Sequence, residues 1–583
     1  MKGCPARLSA DRTARNADDP SPKRARTVLG SSREVAVRRG STANGDPRLL
    51  CSGARASPAR VGSPDARACP SFPGGRKSRG PRGLPHSGTH RGDDWSGWDW
   101  SNAQTMTFCI DDHLRSLTAR DSYRVRKERR MAVSNDRSSF DRFHTSVRQF
   151  DVSGKTLLLP DMAPFGARLL AACFRAVGVN AKVMETYTGL ALGKEFTSGK
   201  ECFPCQVTLG DILYHLQKEK ERLGSSFSPD RYVYFMPEAD GPCRFGMYNK
   251  LQRLILDRFP EFKEIPIVYL STEDSYATGG IMPPEESSIF RKLSYVAIIV
   301  ADVMDRVVWR IRPYESRPGA TDAFMAQAVD AMAATIEEVG AALNFPRLLD
   351  QLEEVVVAAR NIADPRIPRK PRIGIVGEIY LRCHPDSNQN IIRELEKCGA
   401  EVLDASLGEW VNFVTFEQER KLRRAWKIAW LDRNHSRLRK VTRALFGNLI
   451  EGLYQQVRQH QVYRRALKHL DIPVDHSIRK IERRLQRDRL FTFDIGTEAA
   501  LSIGGALEYA HEGFDGVVNV FPFTCMPSTI CASILKPLLH DMKVPYLDAP
   551  YDGAIQPNRE TALRTFVYQA KQHLESRTAR TKR

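Results

Sequence analysis

Arg231-Tyr-Val-Tyr-Phe-Met-Pro-Glu-Ala-Asp-Gly-Pro-Cys-Arg-Phe-Gly246 carries a strand, a turn and the start of a helix in one short run. The bulky stretch up to Met236 predicts a buried strand, and Gly241-Pro242 ends it. A helical pattern follows from Gly246 to about Phe259, and Pro266–Leu270 predicts the next strand. Strand, helix and strand in that order, with short links, form a βαβ unit and require parallel pairing.

The same alternation extends in both directions. Upstream, Lys155–Leu159 and Ala181–Glu185 read as strands flanking a helix at Pro164–Val177. Downstream comes a helical stretch, Asp322–Ala359, then a Pro/Arg linker, Asp364–Pro371. A second α/β region follows, with strands at Arg372–Val376, Glu401–Leu403, Gly516–Phe521 and Val544–Leu547, and helices at Ser387–Lys397 and Pro527–His540. The expected fold is α/β: one parallel-sheet domain over 106–310, a helical connector over 311–370, and a second parallel-sheet domain over 371–575. A basic helical insertion is expected at 417–490. Its apolar residues Leu422, Trp426, Ala429 and Trp430, then Leu449, Leu453 and Val457, recur at helical spacing. Residues 1–105, rich in Arg, Ser, Gly, Pro and Ala, show no apolar period and are expected to be disordered. Met106 is an alternative start that would leave this tail outside the working protein.

The 583 residues carry a formal net charge of +19, unevenly placed. Residues 1–105 hold +10, the block 417–490 holds +12, and the remainder is at −3. Without a recognition motif this does not argue for nucleic acid. The basic block reads as a solvated outer face or as a surface for an acidic partner. No run of 18 apolar residues marks a membrane span, and no apolar segment opens the chain. A cytoplasmic protein without a membrane partner is expected. Its 12 cysteines then favour free thiols, metal ligation or catalysis over a disulfide framework.

Three cysteine-bearing turns share one design. Gly199-Lys-Glu-Cys-Phe-Pro-Cys205 leads into a helical pattern, and Asp240–Gly246, with Cys243, follows a strand. Phe521-Pro-Phe-Thr-Cys-Met-Pro527 places Cys525 between a strand and a helix. Each cysteine is expected at a helix N-terminus, whose partial positive charge favours thiolate. In parallel α/β sheets, sites form beyond the carboxyl ends of strands, so the three turns can converge. Spacing leaves several readings open: a dispersed four-cysteine iron–sulfur site, a thioredoxin-like pair at Cys202 and Cys205, and plain burial of Cys243 and Cys525. Cys383-His384 is a weaker candidate, and Cys173, Cys398 and Cys531 read as packing. Gly154-Lys-Thr156 precedes a strand instead of following one, so it is no phosphate loop. Nor is there a dinucleotide fingerprint, nucleophile elbow or HExxH, so any ATP must be handled by another protein.

Thr197-Ser-Gly-Lys-Glu-Cys-Phe-Pro-Cys205, Gly241-Pro-Cys-Arg-Phe-Gly246 and Pro522-Phe-Thr-Cys-Met-Pro527 together resemble the HgdB-like family. These are the D-component proteins of 2-hydroxyglutaryl-CoA dehydratase and benzoyl-CoA reductase. Gly377-Glu-Ile-Tyr380, Tyr551-Asp-Gly553 and Asn558-Arg-Glu560 look like the C-terminal module of acyl-CoA dehydratase activase-related proteins. The resemblance spans roughly 150–570. It implies Rossmann-like domains around an iron–sulfur cluster, 4Fe–4S or double-cubane, with Cys202, Cys205, Cys243 and Cys525 as ligands. It also implies a separate ATP-hydrolysing activator with its own cluster as electron donor, and an acyl-CoA or other small molecule as substrate. Cys383 stands where a polar non-Cys residue is expected. The ATPase domains that precede this module in the large activase-related proteins are replaced here by the basic tail. Two rival readings are a non-catalytic relative that docks the activator and a basic nucleic-acid-binding protein.

Overall fold

The computed structural model describes residues 152–581, except 240, 273–275, 277 and 279–280. The disorder expected for 1–105 lies outside these residues.

The N-terminal half begins with β1 (Thr156–Leu159), α1 (Pro164–Ala176), β2 (Asn180–Val183), α2 (Leu190–Glu195) and α3 (Phe203–Leu223). Then come β3 (Tyr232–Phe235), a 3-10 turn (Arg244–Met247), α4 (Tyr248–Leu256) and β4 (Ile267–Val268). Three long helices follow: α5 (Pro284–Ile311), α6 (Ala320–Val339) and α7 (Phe345–Arg360). The C-terminal half contains β5 (Arg372–Gly377), α8 (Ile379–Cys383), α9 (Ile391–Lys397) and β6 (Glu401–Asp404). Its helical block is α10 (Leu407–Leu431), α11 (His435–Leu467) and α12 (Ile478–Arg487). The chain closes with α13 (Ala499–His511), β7 (Gly516–Pro522), α14 (Met526–Asp541), β8 (Tyr546–Tyr551) and α15 (Arg559–Thr581).

Two four-stranded sheets result, both wholly parallel, in the orders β2-β1-β3-β4 and β6-β5-β7-β8. The strand order is the same in both halves, although no repeat is legible in the sequence. In each sheet the chain leaves the first strand to one side and returns to the other. The loops beyond β1 and β3, and beyond β5 and β7, therefore diverge and open a crevice at the carboxyl ends. Cys243 follows β3, Glu378 follows β5, and Cys525 follows β7.

Helix α5, 28 residues and about 42 Å long, packs against α1 of the first half and β6, α10 and α11 of the second. Leu293, Val296, Ala297, Val300, Met304, Val307 and Ile311 recur at helical spacing and are buried, so this helix is legible in the sequence although the expected elements above leave it out; Tyr295 and Ile299 are buried as well, because both halves cover it. Its buried Asp302 accepts from the Leu407 and Gly408 amides at 3.0 and 2.8 Å, capping α10 from outside. Ser406 Oγ accepts from the Glu409 amide at 3.1 Å and completes that N-terminus. The helix entering the basic block thus starts at Leu407, and residue 417 falls inside it.

The helix expected at Ser387–Lys397 is shortened to α9. Asn388 is the reason: its side chain donates to the Leu381 carbonyl at 2.7 Å and accepts from the Ile391 amide at 3.1 Å. Side-chain bonds of this kind compete with helical pairing. Gln389 and Asn390 then take left-handed conformations, at φ 55° and 56°.

Candidate functional site

All three cysteine turns end as expected, on helix N-caps. Cys202 caps α3, Cys243 caps the 3-10 turn before α4, and Cys525 caps α14. Cys202 pays for its position with φ 96°, a conformation that costs an L residue on the order of 1–3 kcal/mol and recurs at functional sites. Phe203 and Val207, which follow it, pack with Ile373, Ile375 and Val520 of the second sheet. The Cys202 turn is therefore pinned by the opposite half of the molecule.

Arg244 joins the three turns. Its guanidinium donates to the Lys200 carbonyl at 2.6 Å and to the Thr524 carbonyl at 2.9 Å. One side chain from the Cys243 turn thus holds the loops that carry Cys202 and Cys525. Gly241 is needed beside it. At φ 93° it suits glycine, and a Cβ there would lie 2.9 Å from the Gly496 carbonyl oxygen.

The thiols share their electrostatic surroundings. Burial pushes the Cys202 thiol up to about 11, and the Glu378 charge adds to the rise, while Tyr248 and Arg244 oppose it. Burial also raises Cys243, followed by the charges of Glu498, Glu378 and Cys525. Cys525 is raised by burial, then by Glu498 and Glu378, while the Ser528 amide acts the other way. The same two carboxyls thus act on thiols from both halves. Burial outweighs the backbone amides at the N-termini for each of these thiols. Cys205, in the first turn of α3, is fully buried in the core with Leu158, Leu209 and Ile212, a cluster that also contains Cys202. Its thiol is raised by burial and then by Cys202.

Glu378 is held by the Tyr380 and Leu381 amides at 3.0 and 2.9 Å, and burial raises its carboxyl. Burial, with Glu378 nearby, raises Glu498 to about 7, and its Oε1 is buried with no hydrogen-bond partner among the described residues. Glu378, Glu498 and Cys243 line a cavity of about 290 Å³. Its walls are mostly apolar, including Leu159, Phe235, Leu270, Phe290, Ile298 and Trp410. Arg291 and Glu451, paired at 3.6 Å, also line it.

Cys383 lines the cavity too, with Sγ 3.8 Å from Asp404 Oδ2. His384 is engaged elsewhere. The Ser387 amide donates to Nδ1 at 3.1 Å, which assigns the proton to Nε2, 3.1 Å from Thr186 Oγ1. Thr186 in turn donates to Asp211 Oδ2 at 2.7 Å. Burial lowers His384 to about 4, so it is a neutral tie between the two halves.

Among the described residues no group of three or more His, Cys, Asp or Glu could hold a single metal ion. A cluster is a different case, because each of its irons takes its own thiolate. Cys202, Cys243 and Cys525 stand at N-cap positions on three turns, and Glu498, with its orphaned carboxyl oxygen, raises two of the thiols. Metal binding deprotonates thiols and offsets their burial.

Sequence reasoning singled out the four cysteines but not Arg244, Glu378, Tyr248 or Glu498. Arg244 and Glu378 stand inside the quoted motifs, next to Cys243 and Gly377. Tyr248 and Glu498 carry no local signal. No protein-family model and no curated protein matches this chain. Among the described residues no helix is long and apolar enough to cross a membrane.

Proposed function

We propose that this chain is the iron–sulfur electron-transfer component of an ATP-dependent reductase or dehydratase of the HgdB-like kind. It acts in the cytoplasm, with two Rossmann-like halves and a separate ATPase activator as electron donor. One observation carries the reading: Arg244 ties together three cysteine-capped turns at the carboxyl ends of both parallel sheets, beside an apolar cavity. Cys202, Cys205, Cys243 and Cys525 are the ligands. When bound, the cluster supplies one-electron chemistry at low potential.

The chain's own residues do the rest. The apolar walls exclude water from the cavity and accept the apolar part of a small molecule, such as an acyl-CoA thioester. Glu498, raised to about 7, is poised to take up or give up a proton on its carboxyl near neutral pH. Arg244 keeps the turns in register.

The test is anaerobic reconstitution with iron and sulfide, followed by iron and acid-labile sulfide analysis and spin-resonance spectroscopy. Cys202→Ser, Cys243→Ser and Cys525→Ser should each lower cluster content or change the spectrum. Cys205→Ser should do the same. A colourless protein without iron or sulfide after reconstitution overturns the reading.

A further inference from the structure

Helix α11 is apolar on two opposite sides. Gln455, Val462, Tyr463 and Ala466 face the body of the protein and are buried. On the other side Phe446, Leu449, Ile450, Leu453 and Val457 are exposed, Phe446 at 66% and Leu453 at 61%. These five recur every three or four residues, so they form one stripe of three turns, about 17 Å long. Trp426 adjoins it: its indole N–H donates to Thr442 Oγ1 at 3.0 Å, one turn before Phe446. Single exposed apolar residues are ordinary, but a continuous stripe with a charged rim marks an interface.

The rim is basic. On the helical wheel Arg439 and Arg443 continue the stripe at its N-terminal end, and Arg464 lies on it beyond Val457. Arg423, Arg424, Lys427, Arg433 and Arg437 are exposed on the same hairpin. From residue 420 to 450 the only carboxylate is Asp432. A second copy of the chain fits this pattern poorly. Antiparallel pairing of two such stripes about their middle sets Arg439 against Arg464 at both ends, and like charges oppose it. Nucleic acid supplies negative charge but has no use for a row of Phe, Leu, Ile and Val. An amphipathic helix with an apolar seam and flanking carboxylates satisfies both features.

We propose that the outward face of α11 binds an acidic amphipathic helix of another protein, seating that helix on Phe446–Val457 between Arg439/Arg443 and Arg464. This holds whatever occupies the cysteine site. The probe is a labelled three-heptad peptide with Leu at positions a and d and Glu at e and g, compared with its Lys counterpart by fluorescence anisotropy on the full chain. The Glu peptide should bind, more weakly as salt rises, and the Lys peptide should not. Leu453→Asp, at an exposed position, should abolish binding with the circular dichroism unchanged. The Arg439→Glu/Arg443→Glu double variant should weaken the Glu peptide by roughly tenfold, a few-fold per rim charge, and improve binding of the Lys peptide. Four outcomes overturn the proposal: no binding of the Glu peptide, or equal binding of both peptides; a dimer in sedimentation that Leu453→Asp dissolves; and binding of phosphatidylserine vesicles or duplex DNA that the same variant abolishes.

Discussion

Replacing Arg244 with Ala removes one side chain and two bonds, to the carbonyls of Lys200 at 2.6 Å and Thr524 at 2.9 Å. A hydrogen bond from a charged group contributes about 1.5–3 kcal/mol when sheltered. Arg244 is half-buried, so about 1 kcal/mol for each bond is the better figure, or about 2 kcal/mol together. The loss is local, because both carbonyls belong to loops that carry buried thiols. An opening made easier by about 2 kcal/mol is populated about thirtyfold more often. The assay is alkylation of the reduced, metal-free protein under argon, with each cysteine quantified by mass spectrometry. Cys202 and Cys525, 6% and 4% exposed, should be labelled about thirtyfold faster in Arg244→Ala. Cys173, fully buried in α1, should keep its rate. Arg244→Lys, which can reach only one carbonyl at a time, should fall between. Equal acceleration at all three cysteines would mean that Arg244 contributes only to global stability, and the strap argument fails. Unchanged rates at Cys202 and Cys525 would mean that the two bonds contribute nothing.

Gly377→Ala puts a Cβ into the Val520 carbonyl oxygen at φ 127°, so β5 and β7 must separate just before Glu378; a loss of about 3 kcal/mol or more is expected in urea denaturation, and a variant within about 0.5 kcal/mol of the native protein contradicts this packing. Asp211→Asn tests the tie between the halves. Burial raises the Asp211 carboxyl from 3.8 to about 7, so its stability contribution is intact at low pH and is lost as pH rises from about 4 through about 7. The variant, which cannot ionise, should gain on the native protein by about 3 kcal/mol between pH 5 and pH 8; a pH-independent difference would show that Asp211 titrates normally.

What the sequence revealed followed from interactions that are local along the chain. Strand β3 and the Cys243 turn are specified by Tyr232–Phe235 and by the Gly-Pro break, so the segment folds much as it reads. The capping positions of Cys202 and Cys525 follow from the Pro residues in the first turns of their helices. Long-range requirements left no mark. Arg244 acts on Thr524, 280 positions away, and nothing near either residue announces the bond. Helix α13 is built largely of Ala and Gly, so it has too little contrast between its faces to stand out. The thiols' surroundings are a long-range property too: helix N-termini favour thiolate, whereas burial, set by the tertiary fold, raises all three.

The three N-cap cysteines are divided between two bodies: Cys202 and Cys243 on the first sheet's loops, Cys525 on the second's. Anything held by all three thiols staples those bodies together. Its affinity then includes the free energy of closing the crevice, and a variant that loosens closure weakens binding without touching a ligand. The coupling is reciprocal, so an occupant raises the unfolding temperature of both halves at once and makes them melt as one.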